Sequence, residues 1–158
     1  MSDIDYPECI NELYQSEVVG EKVFLALVAI AKNGREKYHF GTCLQFETET
    51  KARLRPFLLE RGFELVEDQD SGLVNGIVAA YEENSWVDFL TGIKPVVDDF
   101  LARFKEIAAA GTPEDQDVLQ SMIIHEESFV SWIEKETAGE EGSIDAFISH
   151  LKYPLPAP

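Results

Sequence analysis

Apolar residues return every three to four positions through four long stretches of this chain, the period of a helix that buries one face. The first helix is predicted to begin near Pro7 and to carry Ile10, Leu13, Tyr14, Phe24 and Leu27 inward. Asn33-Gly34 reads as its left-handed stop. The second runs from about Arg35 to Arg61 with Phe40, Cys43, Leu44, Leu54, Phe57 and Leu58 inward, stops at Gly62, and holds Pro56, which removes one backbone bond. The third runs from about Ser85 to Ala110 on Trp86, Phe89, Leu90, Ile93, Val97 and Phe104. The fourth follows Thr112, read as an N-cap ahead of Pro113, and continues to about Thr137 on Leu119, Met122, Phe129, Val130 and Ile133.

Between the second and third helices lies an acidic connector, Glu64, Glu67, Asp68 and Asp70, and then a short helix over 72–83. After Gly139 and Gly142, Ser143 reads as the cap of a last short helix ending near Leu151, followed by an extended, proline-rich tail. No segment sustains the alternation of a strand. The fold class is therefore all-α, one domain over 1–158. Short links inside two helix pairs predict an up-down four-helix bundle of two antiparallel hairpins, joined by a crossover at 63–84.

Three glutamates interrupt these apolar stripes. Glu17, Glu47 and Glu126 each stand on the buried face of a long helix, where a carboxylate is costly unless paired, protonated or bound to a cation. Antiparallel neighbours are level when their numbers average to the turn. Glu17 and Glu47 average to about 32, within one helical turn of the break near Gly34. The same construction about residue 112 sets Asp98 opposite Glu126, just off the stripe. Three or four carboxylates are thus expected at one level. Such a group suits hard cations, iron, manganese or magnesium. His125 precedes Glu126 and points about 100° away from it; it reads either as a hydrogen-bonded boundary residue or, if the bundle tilts, as a ligand or a group that orients a neighbouring carboxylate. Glu21 and Glu82 are weaker candidates. His39 reads as a boundary residue and His150 as remote from the bundle core. Each glutamate also has a plain structural reading: Glu17 paired with Arg53 or Lys51, Glu47 with Lys51 on its own helix, Glu126 at the rim of its stripe.

Composition narrows the partners. The chain is 158 residues long, 45% hydrophobic and 27% charged, with a formal net charge of -17. That charge argues against nucleic acid and against an anionic membrane surface, both of which need clustered Lys and Arg. No apolar run reaches the ~18 residues of a membrane span, and the start lacks the features of a signal peptide, so a cytoplasmic location is expected. Cys9 and Cys43 are offset by about 16 residues across the first hairpin, roughly 24 Å along the helix, too far for a disulfide. Free, buried thiols are expected.

The stretch Glu17-Val-Val-Gly20-Glu21-Lys-Val-Phe24 resembles the first metal-ligand helix of the ferritin-like superfamily, its rubrerythrin-like and tRNA-hydroxylase-like branches in particular. There a Glu is followed by a small residue and an aromatic. The second and fourth helices of that family carry Glu-x-x-His, and Glu47 and Glu126 fall at its Glu positions. Thr50 and Phe129 stand at its His positions, and the third helix offers Ile93, Lys94, Val96 and Val97 where the family has a Glu, leaving Asp98 as the nearest carboxylate. The resemblance implies a reduced carboxylate site binding iron or manganese, with Glu17, Glu47, Glu126, His125 and Asp98 as ligand candidates and oxidoreductase chemistry on oxygen or peroxide. The missing histidines leave a second class open, a non-catalytic helical bundle serving as a binding or self-association module. Large apolar residues near the C-terminal segment, Trp132, Phe147 and Ile148, suggest a homodimer.

Overall fold

A computed structural model describes residues 4–67 and 71–158, the side chain of Ser71 excepted. The described residues are all-helical, with no strand. Six α-helices follow in order: α1 (Tyr6–Ile30), α2 (Gly34–Leu59), α3 (Ser71–Glu83), α4 (Trp86–Ala110), α5 (Gln116–Ala138) and α6 (Asp145–Ile148), with a 3-10 turn at Pro113–Asp115. Asp68 and Asp70 of the acidic connector lie outside the described residues.

The helix ends are set by side chains that satisfy free backbone N–H groups. Asp5 accepts from the Glu8 N–H, Asn33 from that of Glu36 at 2.9 Å and Ser85 from that of Asp88 at 3.1 Å. Asn33 therefore opens α2 rather than closing α1, and Gly34 is the first residue of α2 with no positive φ. This corrects the left-handed stop expected there: asparagine serves either end of a helix, and here its side-chain oxygen finds an N-terminal donor. Gly62 (φ 78°) and Gly139 (φ 70°) do take the left-handed conformation at the ends of α2 and α5. Thr112 is extended but makes no capping bond. The work at that corner falls to Asp115, buried and bonded to the Tyr6 hydroxyl at 2.7 Å and to Arg61, which ties the start of α1 and the end of α2 to the turn before α5. Ser143 does not cap α6 either; its hydroxyl donates to Glu136.

Helix α1 packs along α2 and α4 along α5, while α3 lies against α1 and α4, and α6 against α5 and α2. Two apolar clusters result. One gathers Ile10, Leu13, Tyr14, Leu54, Phe104 and Met122. The other gathers Phe24, Leu27, Phe40, Phe89, Phe129 and Trp132. On each of α1, α2 and α5 the stripe passes from one cluster to the other, and at the crossing stands one of the three glutamates. Trp132 and Phe147 are fully buried inside this chain, and Ile148 is half-buried. The apolar surplus that suggested a dimer is consumed by the domain itself. Cys9 and Cys43 are buried free thiols, and no helix among the described residues is long and apolar enough to cross a membrane.

Candidate metal centre

Glu17 of α1, Glu47 of α2 and His125 and Glu126 of α5 meet in the layer between the two apolar clusters. All four are buried, at 1 to 7% exposure. The His125 Nε2 lies 3.1 Å from the Glu17 Oε2 and 3.2 Å from the Glu47 Oε2. Glu17, His125 and Glu126 each offer one donor atom within 4.8 Å of the others. His125 and Glu126 are neighbours in sequence, splayed by about 100° around α5, and the layer is wide enough for both to enter it.

Three atoms at this junction, the Glu17 Oε2, the Glu47 Oε2 and the His125 Nε2, are fully buried and make no well-aligned hydrogen bond, although the nitrogen lies at ion-pair distance from both oxygens. Buried polar atoms of proteins are almost always satisfied. The approach of His125 to Glu17 at 3.1 Å and to Glu47 at 3.2 Å makes these atoms a candidate donor set. Metal–ligand distances of about 2.0–2.2 Å with bond angles of about 90–110° place neighbouring donors roughly 2.8–3.6 Å apart. Carboxylate oxygens with one imidazole suit iron and manganese.

Neighbouring residues hold these side chains in place. The His125 Nδ1 is bonded to the Thr50 hydroxyl at 2.9 Å, and its ring stacks on Phe46 with centroids 4.3 Å apart and planes 16° from parallel. A second bond at the far nitrogen is how a ligating histidine is oriented. Glu47 lies against Gly20: a Cβ there would collide with the Glu47 carboxylate in its present position and force it to shift. Thr50 and Gly20 are thus contacts of the cluster that the apolar pattern alone did not single out. The signals were present: Thr50 stands at the Glu-x-x-His spacing, and Gly20 is a small residue one turn from Glu17.

Burial governs the protonation of the cluster. It pushes the Glu17 carboxyl well above its ordinary value, with His125 pulling the other way and Glu47 adding to the rise. It pushes Glu47 up to about 8, against the contact with Glu17 and helped by the charges of Glu126 and Glu21. Glu126 also stands well above its ordinary value, through burial and Glu17. Burial lowers His125, with Glu17 opposing and Arg53 adding. Without a cation the carboxyls keep protons and the imidazole is neutral, which is the form that ligates.

A pH dependence follows for the metal-free protein. Glu47 faces Glu17 and Glu21 of α1 and His125 and Glu126 of α5. An unfolded chain releases the Glu47 proton near 4.5, and the folded chain near 8. The contribution of this proton to stability is complete below about pH 4.5 and is lost as the pH rises through about 8. Each pH unit in that window costs up to about 1.4 kcal/mol. Thermal unfolding in a chelating buffer should show the wild type losing more stability between pH 5 and 8 than Glu47→Gln. Parallel curves would contradict the assignment.

The remaining sequence candidates are placed elsewhere. Asp98 is exposed, bonded to Lys94 one turn away on α4 at 2.9 Å, and takes no part in the cluster. Matching levels across a hairpin constrains depth along the helices, not rotation about them, and α4 turns Asp98 to solvent. Lys51 is buried but ion-paired with Glu21 at 2.9 Å and Glu67 at 2.7 Å, not with Glu17 or Glu47. Arg53 is exposed. Among the described residues none of Glu17, Glu47 and Glu126 has a Lys or Arg at ion-pair distance. Glu21 is spent on Lys51 and Thr48, and Glu82 is exposed. His39 is not a boundary residue: it is buried, and its Nδ1 accepts from the Trp132 indole at 3.0 Å. Beside it, burial would raise Glu136, but bonds from Arg35, Ser143 and Trp86 outweigh burial and hold its carboxyl at about 2. His150 is exposed, outside the cluster, with its ring 6.2 Å from that of Phe46.

No protein-family model, curated protein or solved structure matches this chain. The class of protein has to be argued from the site itself, a buried carboxylate–histidine cluster between the apolar layers of an all-helical domain.

Proposed function

We propose that this protein is a ferritin-like metalloprotein, a four-helix bundle of two antiparallel hairpins, α1/α2 and α4/α5, joined by a crossover through α3. Iron or manganese would be held by Glu17, Glu47, Glu126 and His125. The observation that carries this reading is the approach of the buried His125 Nε2 to the buried Oε2 atoms of Glu17 and Glu47 at 3.1 and 3.2 Å, with Glu126 beside them. Among the described residues no Lys or Arg stands at ion-pair distance from these glutamates, and the nearby Lys51 is committed to Glu21 and Glu67. When bound, iron would supply activation of oxygen or peroxide, and the protein would be an oxidoreductase. The chain's own residues do the rest. Glu17, Glu47 and Glu126 balance the charge, the His125 Nε2 adds a nitrogen donor, Thr50 and Phe46 fix the ring, and the two apolar clusters flank the layer. A cytoplasmic location belongs to the same reading, in keeping with two free thiols.

Metal analysis tests this directly. Protein purified without chelator should carry iron or manganese near stoichiometry, and Glu47→Ala should carry none. Wild-type protein without a transition metal, together with a Glu47→Leu variant of higher stability, would show an uncompensated buried carboxylate and end the metal reading.

A further inference from the structure

The side of the carboxylate layer that belongs to α4 carries no donor. Ile93, Val96 and Val97 face it instead. With Phe24 of α1 and Ile77 of α3 they wall a cavity of ≈ 70 Å³ whose polar end is Glu47 and Glu126. The other polar side chain in its lining, Ser16, is spent: its hydroxyl donates to the Leu13 carbonyl of its own helix at 2.6 Å. Phe24 is buried, whereas Ile77, Ile93, Val96 and Val97, like Ser16 and Val19 of α1, remain half-buried, so the cavity is reached between α1, α3 and α4. A second, polar cavity of ≈ 260 Å³ meets His125 along a different wall, with Arg53, Thr50 and His150 around it. Apolar and polar approaches to the cluster are thus separated.

We propose that the apolar cavity is the substrate site of the centre and takes the hydrocarbon end of a small uncharged molecule. The lining holds no Lys or Arg to accompany an anion and no charged group along its walls to accompany a cation, so burying a charged chain there is costly. At about 15 Å³ for each water-sized position the space corresponds to roughly five positions, which limits the occupant to a small molecule. Any chemistry on that molecule rests on the metal reading; the binding itself does not.

The test is a titration of 1-hexanol and of hexanoate into metal-free and metal-loaded protein, followed by backbone amide chemical shifts. Hexanol should bind in both states, with the largest changes around Ile77 and Val97, and hexanoate at least tenfold more weakly. Ile77→Trp and Val97→Trp, each checked for helical content and metal content, should weaken hexanol at least tenfold. Absence of hexanol binding to the wild type, equal binding of hexanoate, or shifts confined to other surfaces would overturn the proposal, even if both variants failed to fold. Metal retained with no hexanol binding would sink this inference alone. Hexanol bound at Ile77 and Val97 with no metal retained would sink the metal reading and leave an apolar binding site.

Discussion

Replacing His125 with alanine is expected to lower affinity for ferrous or manganous ion by more than about a hundredfold, since loss of groups that merely support a ligand already costs about 10–100-fold. His125 is the one nitrogen donor of the cluster, and its Nε2 touches two of the carboxylates. Its removal also leaves three raised carboxyls with only one another for company, so the metal-free variant should hold their protons at least as firmly. Thr50→Val, which removes the bond to Nδ1 but not the ring, belongs at the milder end, about tenfold. Competition against a chromophoric chelator at neutral pH reads both, with helical content from circular dichroism as the control. Wild-type affinity in His125→Ala would mean that metal, if bound, is bound elsewhere.

Trp132→Ala should be among the most destabilising single changes in the chain. Trp132 is the largest fully buried side chain. It packs against Trp86, Phe129 and Phe147 with ring centroids 5.6–6.4 Å apart, and its indole N–H satisfies the buried His39. Truncation removes the transfer free energy of the ring, leaves a cavity, and orphans a buried acceptor. A loss of about 3–5 kcal/mol is expected, which for a domain of this size lowers the melting temperature by roughly 6–20 °C. Differential scanning calorimetry checks it, and a fall of only a degree or two would show that the second apolar cluster does not depend on this residue.

The unequal legibility of the two halves of the site has a physical cause. Glu17, Glu47 and Glu126 could be read from the chain because an acid within an apolar stripe violates the helical period, and because hairpin arithmetic gives depth. His125 could be named but not aimed: one residue from Glu126, it points elsewhere on an ideal helix, and whether that direction meets the cluster depends on how α5 is rotated against α1 and α2. Asp98 failed for the same reason in reverse, expected level with Glu126 but facing outward beside Lys94. His39 looked peripheral because nothing local announces that Trp132, 93 residues away, will donate to it.

By itself the sequence determined the number and period of the long helices, most of their boundaries to within a few residues, the free thiols and the three buried acids, because each depends on near neighbours along the chain. Only the tertiary structure decided that Thr50 would hold His125, that Gly20 would make room for the Glu47 carboxylate, that Lys51 would turn to Glu21 and Glu67, and that α4 would offer an apolar wall where a ligand was sought. These are contacts between helices. They are set by the rotation of each helix about its axis and the closeness of its packing, neither of which a periodic pattern on a single helix contains.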